Sequence, residues 1–406
     1  MRRRKAMRDL RIDFFRGLAL CAIFLNHIPG KATTLTWRHY GFSDAADTFV
    51  FLAGFSAALA WGASFRGEKD PAIGRANARN RAWHLYRTHL GVVAAMLILV
   101  TAGAWVYANP GIKQMMGLGY LGSNPAEGWL QVAVLAYLPN LGDILPMYIV
   151  FIGSLALLGP AIARYPLAAL AMSCAVWVWA GMYNIAPPSH PNGGTWFFNP
   201  LCWQFLFVTG FVLGNRVSSG KPVPRHPLLM AAASGMLLYA LLATAPWHML
   251  GIGRDFRVFD PDTLIPHGKS TLEIGRLLHF LALAYVISAL IRPDARFFST
   301  TIGNLFSTLG RHSLPVFVGG VLLSTVWTIL IQQTPTTNAM EWMMGLSGLL
   351  ILFAIGMVWE RNRQEERRLA KAAKAAAARP LVTAMAKGES ATPVAIPVPA
   401  DTRVPT

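Results

Sequence analysis

Ten apolar stretches, each about as long as a bilayer is thick, run through this chain. They lie near 12–30, 46–64, 88–108, 143–162, 166–185, 200–215, 227–245, 273–291, 313–332 and 341–359. Hydrocarbon offers no water to satisfy backbone N–H and C=O groups, so apolar segments of this length cross it as helices. The expected fold is therefore all-α, a polytopic bundle of about ten transmembrane helices. Charged residues make up only 14% of the 406, where a soluble domain carries about 25%. The stretch 129–142 is too short to span and reads as an interfacial or re-entrant helix.

The net charge of +17 would suit a nucleic-acid partner, but the placement of the charges argues against one. Ten spans put both termini on one side, with the loops at 65–87, 161–165, 215–226 and 292–311. These segments and the two tails hold 28 of the 36 Lys and Arg. Basic residues mark the cytoplasmic side, so both termini are expected there. The chain divides into a basic N-terminus (1–11), a membrane domain (12–360) and a tail (361–406) that is basic and then, beyond Arg379, disordered. The basic start and the apolar run after it resemble a signal peptide, with small residues at Gly30 and Ala32. Asp13 and Arg16 are wrong for such a segment, so it is read as a retained first span. Cys21, Cys174 and Cys202 all fall in apolar stretches, and no disulfide framework is implied. The halves show no internal repeat, which counts against a transporter.

The first stretch carries groups that lipid does not tolerate. Asp13, Arg16 and His27 lie in it, and charge in hydrocarbon is usually retained for function. Asp13 and Arg16 are three residues apart, hence on one helix face. Arg16 and His27 are eleven apart, about three turns and roughly 16 Å along the axis. The second stretch opens with Ser43, Asp44 and Asp47, joined to His27 by a short loop. This pattern suits general-base chemistry, in which a carboxylate orients an imidazole that takes a proton from a hydroxyl. It also suits a structural hydrogen bond between helices, with Ser43 or Asp44 as an N-cap. His39 and Asp44 form a His-x4-Asp pattern as well. Lys269, Arg276 and His279 lie at the start of the eighth stretch, where they would bind a substrate or anchor the helix by snorkelling. Trp196 and Trp203 suit sugar stacking or an interfacial belt. His312 and Ser313 read as an N-cap. There is no metal motif, P-loop or nucleophile elbow.

The run Asp13-Phe14-Phe15-Arg16-Gly17-Leu18-Ala19-Leu20, with Asn26-His27-Ile28-Pro29 and then Ser43 to Phe55, resembles the OpgC family. The Arg-x10-His spacing of Arg16 and His27 resembles the first-helix motif of the wider acyltransferase type 3 superfamily. Asn199-Pro200 with Trp203-Gln204, Arg276 to Leu281, and Leu309 to Leu314 extend the likeness over residues 8–360. The resemblance implies a ten-span enzyme that succinylates periplasmic glucans from cytoplasmic acyl-CoA, with no bound cofactor. It implies a catalytic group of His27, Asp44 and Asp47. Substrate or donor binding would fall to Asp13, Arg16, His84, Arg87, Trp203, Gln204, Lys269, Arg276 and His279. The family's Arg-x-x-Arg pair before the third span is missing; His84-x-x-Arg87 stands nearest to it, among Arg75, Arg79 and Arg81. Guanidinium groups suit CoA phosphates, and they equally suit a topological role. Acetyl transfer to another envelope polysaccharide, a multi-helix transporter and a non-catalytic membrane scaffold are the alternatives.

Overall fold

A computed structural model describes residues 9–36, 41–191, 193–244 and 265–386. Each of the ten apolar stretches coincides with a helix. In chain order these are α1 (Leu10–His27), α2 (Ala45–Phe65), α3 (Pro71–Val106), α7 (Ile144–Arg164), α8 (Pro166–Met182), α9 (Pro200–Ser218), α10 (Pro227–Thr244), α11 (Ile274–Leu290), α13 (Ser313–Gln333) and α14 (Asn338–Ala386). Between them lie the short α4 (Gly111–Met115), α5 (Gly119–Ser123) and α6 (Pro125–Ala133), and the amphipathic α12 (Thr301–Arg311). A two-residue antiparallel ladder joins β1 (Pro188–Ser189) to β2 (Gly194–Thr195).

Six helices, α2, α3, α7, α10, α13 and the first part of α14, are long and apolar enough to cross a membrane. The apolar α8 and α11 are shorter. Apolar side chains also line the outside of the bundle: Leu157 is 80% exposed, Leu167 81% and Trp105 84%. A soluble protein does not present such a surface, whereas lipid covers it without cost. This is a helical membrane protein.

The basic stretch read as an inner loop at 65–87 is instead mostly helix. Asp70 caps it by accepting from the Ala72 N–H, Pro71 sits at the first position, and α3 then runs unbroken to Val106. The loop at 292–311 contains α12, which packs antiparallel along α1 at very close range. A Cβ on Gly17 would meet the Phe306 carbonyl, and one on Gly310 would meet that of Asp13. Small residues allow backbones this near in the absence of a hydrophobic drive between helices. The 129–142 stretch gives only the end of α6 and an irregular return to α7. The boundary at residue 360 falls inside α14, which continues to Ala386 through Pro380, past the expected onset of disorder at Arg379. No Gly or Pro lies between Glu360 and Arg379, and the Ala-rich sequence there favours helix. Residues 1–8 and 387–406 lie outside the described residues, and so does His39.

α2 and α9 run parallel and start at the same end of the bundle, where α1 also finishes. Gly54 lies against the Phe207 carbonyl and Gly210 against that of Phe51. This end is recessed. Asn109 Nδ2 donates to Gln333 Oε1 at 2.8 Å, tying the end of α3 to the end of α13. Phe24 packs against Gly320 and Gly348, well down α13 and α14. At 1.5 Å per residue, His27 then sits about 10–15 Å below the ends of those two helices.

Candidate active site

Ionised groups from α2, α11 and the segment before α11 converge where α1 ends. Asp44 is the N-cap of α2 and Asp47 its third residue, and the two complete a capping box: Asp44 N–H donates to Asp47 Oδ2 at 2.8 Å. The box fixes both carboxylates before any partner is considered. Arg276 of α11 meets them with a fork. Its Nε lies 3.0 Å from Asp47 Oδ1, and its Nη2 is 2.5 Å from Asp47 Oδ2 and 2.8 Å from Asp44 Oδ2. Its Nη1 donates to the Phe42 carbonyl at 3.2 Å. Asp47 is 0% exposed and Arg276 5%, so the pair is buried and every donor direction of the fork is aimed.

Lys269 completes the cluster at its more open edge, with Nζ 2.8 Å from Asp44 Oδ2. It lies 5.4 Å from the centroid of the Phe198 ring. Trp203 is fully buried beneath, its ring 5.8 Å from the Arg276 guanidinium and its Nε1 donating to the Lys269 carbonyl at 3.0 Å. That burial ties Trp203 to the cations and leaves it no open face. The charges of Lys269 and Asp44 both reach His27, and that of Lys269 also reaches Asp143 at the start of α7. His27 stays partly exposed and makes no hydrogen bond among the described residues. His279 packs beside them. Its Nδ1 accepts from the Ser43 N–H at 3.2 Å and lies 2.7 Å from Ser43 Oγ. Its Nε2 faces Gly41, whose φ of 135° and lack of a Cβ admit the ring.

The other end of the His27 stripe holds cations. Arg16 donates to the Leu52 carbonyl at 3.1 Å and to Ser56 Oγ. The charge of Arg81 on α3 reaches Arg16, and both reach Tyr148 of α7, whose hydroxyl donates to the Phe49 carbonyl at 2.6 Å. Arg87 instead lies on the exposed side of α3, 5.8 Å from the centroid of the exposed Trp83. His84 lies between the Arg81 and Arg87 charges. Asp13 is buried with its backbone against Gly310. Gln204 is held away from the cluster, bonded to Ser173 through both ends of its amide. His312 does not cap α13 through its side chain; its Nε2 meets Glu360 Oε2 at 2.8 Å.

The structure thus brings His27, Asp44, Asp47, Lys269, Arg276 and His279 to one place, and Arg16 to a second. Asp143 and Tyr148 join these groups without having been singled out in the sequence, and Ser43 and Arg81, read there as a cap candidate and as one of a basic stretch, join them too. Asp143, an acidic residue where an apolar stretch begins, carries the same signal as Asp44. Between them α1, α2 and α11 leave a groove of about 420 Å³. Phe15, Ala19, Phe55, Leu283 and Ile287 are among its walls. Ser43, Asp44 and His279 stand at one end, and Asp9, Arg11 and Ser288 at the other.

A buried carboxylate–guanidinium cluster beside an imidazole that makes no hydrogen bond among the described residues is the kind of polar group a membrane protein usually keeps for function. The model of the OpgC protein family matches residues 8–364, and the chain belongs to that family. Membership carries a transferase activity of the acyltransferase type and a role in glucan modification. No curated protein and no solved structure matches the chain.

Proposed function

We propose that the chain moves a succinyl or similar short acyl group from cytoplasmic acyl-CoA to hydroxyls of a periplasmic glucan. The observation that carries this reading is the position of His27, without a hydrogen bond among the described residues and in reach of the Asp44 and Lys269 charges. In this reading ten helices span the bacterial inner membrane, both termini are cytoplasmic, and the His27 end faces the periplasm. The nucleotide phosphates stay at the basic inner face while the thin thioester arm passes Arg16 and Arg81 towards His27. A glucan hydroxyl arrives from outside. The neutral imidazole takes its proton as the oxygen attacks the thioester carbonyl. The carbon–sulfur bond breaks, the proton passes from imidazolium to the leaving thiolate, and acylated glucan and free CoA result. Asp44 steadies the imidazolium. Arg276 is held by the two carboxylates and the Phe42 carbonyl, whereas Lys269, at the open edge, is the cation able to turn to the free carboxylate of a succinyl group.

Mass spectrometry of periplasmic glucans from cells with and without the intact gene tests the reaction. Succinyl substituents should vanish with the gene. An unchanged glucan spectrum rejects the proposal, and loss of acetyl groups instead would reassign the donor.

The donor path yields a separate expectation. Arg81→Ala should raise the acyl-CoA concentration needed for half-maximal rate by roughly 10- to 150-fold, the worth of one charged hydrogen bond. Arg87→Ala should do much less, because Arg87 faces outward. Steady-state kinetics on purified protein decide it, and equal effects of the two changes would remove Arg81 from the path.

A further inference from the structure

The segment between α3 and α7, with the β1–β2 hairpin, caps the His27 end of the bundle, and three polar side chains on it converge. Glu127 is exposed, and its Oε1 lies 3.6 Å from His190 Nε2. That is too long for a hydrogen bond, and Nε2 is shielded from solvent with no hydrogen-bond partner among the described residues. The Glu127 carboxylate beside the Tyr120 hydroxyl raises that phenol's pKa. The Tyr120 ring stands edge-on to His190, centroids 4.8 Å apart, and stacks on Tyr137 at 6.3 Å. Tyr137 is 1% exposed and anchors the patch, donating to the Gly117 carbonyl at 2.6 Å.

The patch is rigid and close to the site. Tyr137 and His190 form a bridge, and the His190 N–H donates to the Ala136 carbonyl at 2.8 Å. Both strands of that bridge run directly into the cluster. Six residues lead from Tyr137 to Asp143, a chain that spans at most about 20 Å. Eight lead from His190 to Phe198, whose ring lies against Lys269. The exposed carboxylate accepts hydroxyls, and a phenol can donate or accept. Hydroxyl groups on a partly apolar ring are what a glucosyl unit offers.

We infer that Tyr120 and Glu127, with the His190 ring packed behind Tyr120, form a sugar subsite that holds a unit of the acceptor glucan chain beside the transfer site. This rests on the glucan reading above. The subsite keeps a long acceptor in place while one hydroxyl farther along the chain enters the recess at His27.

The test uses purified full-length protein in nanodiscs, with a linear gluco-oligosaccharide and free glucose as probes. Binding of the oligosaccharide is measured by calorimetry, and transfer is measured with each acceptor. Glu127→Gln and Tyr120→Phe each remove one polar group and leave the packing in place. Glu127→Gln should weaken oligosaccharide binding about tenfold and lower the ratio of kcat/KM for oligosaccharide over glucose by a similar factor. Tyr120→Phe should move both readouts in the same direction. Equal binding by wild type and both variants overturns the subsite, as does wild-type protein that binds no oligosaccharide. Binding that depends on Glu127 in protein that transfers no acyl group keeps the subsite and discards the reaction.

Discussion

His27→Ala should abolish acyl transfer and leave the bundle folded. The imidazole makes no hydrogen bond among the described residues, so its removal strands no partner. What is lost is the group that takes the proton. General-base catalysis is worth about 10²–10⁴-fold, and the loss should fall in that range. Asp44→Asn should cost less, since Asp44 stabilises the charged imidazole without itself receiving the proton; its Lys269 and Arg276 partners remain. The measurement is acyl transfer to glucan by protein whose yield and elution profile match wild type. Folded His27→Ala protein that retains near-normal transfer would end the mechanism, and attention would move to Asp143 and His279.

Arg276→Ala strikes stability rather than chemistry. It leaves Asp47, 0% exposed, without its counter-charge, and breaking a buried pair on one side costs about 3–5 kcal/mol. The Phe42 carbonyl loses its donor in the same change. Much lower thermal stability in detergent and poor yield are the expected result. The double change Arg276→Ala with Asp47→Ala should recover part of the loss, because the stranded charge is then gone. An Arg276→Ala protein as stable as wild type would show that this fork does not hold α11 to α2.

The ten apolar stretches were legible because bilayer thickness and backbone satisfaction leave so few choices. The Arg16–His27 stripe was legible because helix periodicity alone places both on one face. Pairings across the chain were not. Arg276 and Asp47 are 229 residues apart, and nothing local in either segment names its partner. Arg81 and Arg87 look equivalent in a basic stretch, yet six residues of helix turn them to different faces, and only the packing of α3 shows which face is inner. α12 was missed for a different reason. Its apolar side, Ile302, Phe306 and Leu309, is spread over eleven residues, too few to span, and it follows basic loop residues. The role of Trp203 was also out of reach: its ring supports Arg276 from below, which the sequence could not distinguish from an open stacking face.

The groove between α1, α2 and α11 is bridged at both ends and open between them. Arg11 donates to the Ser288 and Ile291 carbonyls at 3.2 and 2.8 Å, and the Arg276 fork closes the opposite end. Between those ends Arg16 ties α1 to α2 again, through the Leu52 carbonyl and Ser56 Oγ. The walls are thus pinned along their length as well as at their tips, and the apolar trough and the Asp44 end share one framework.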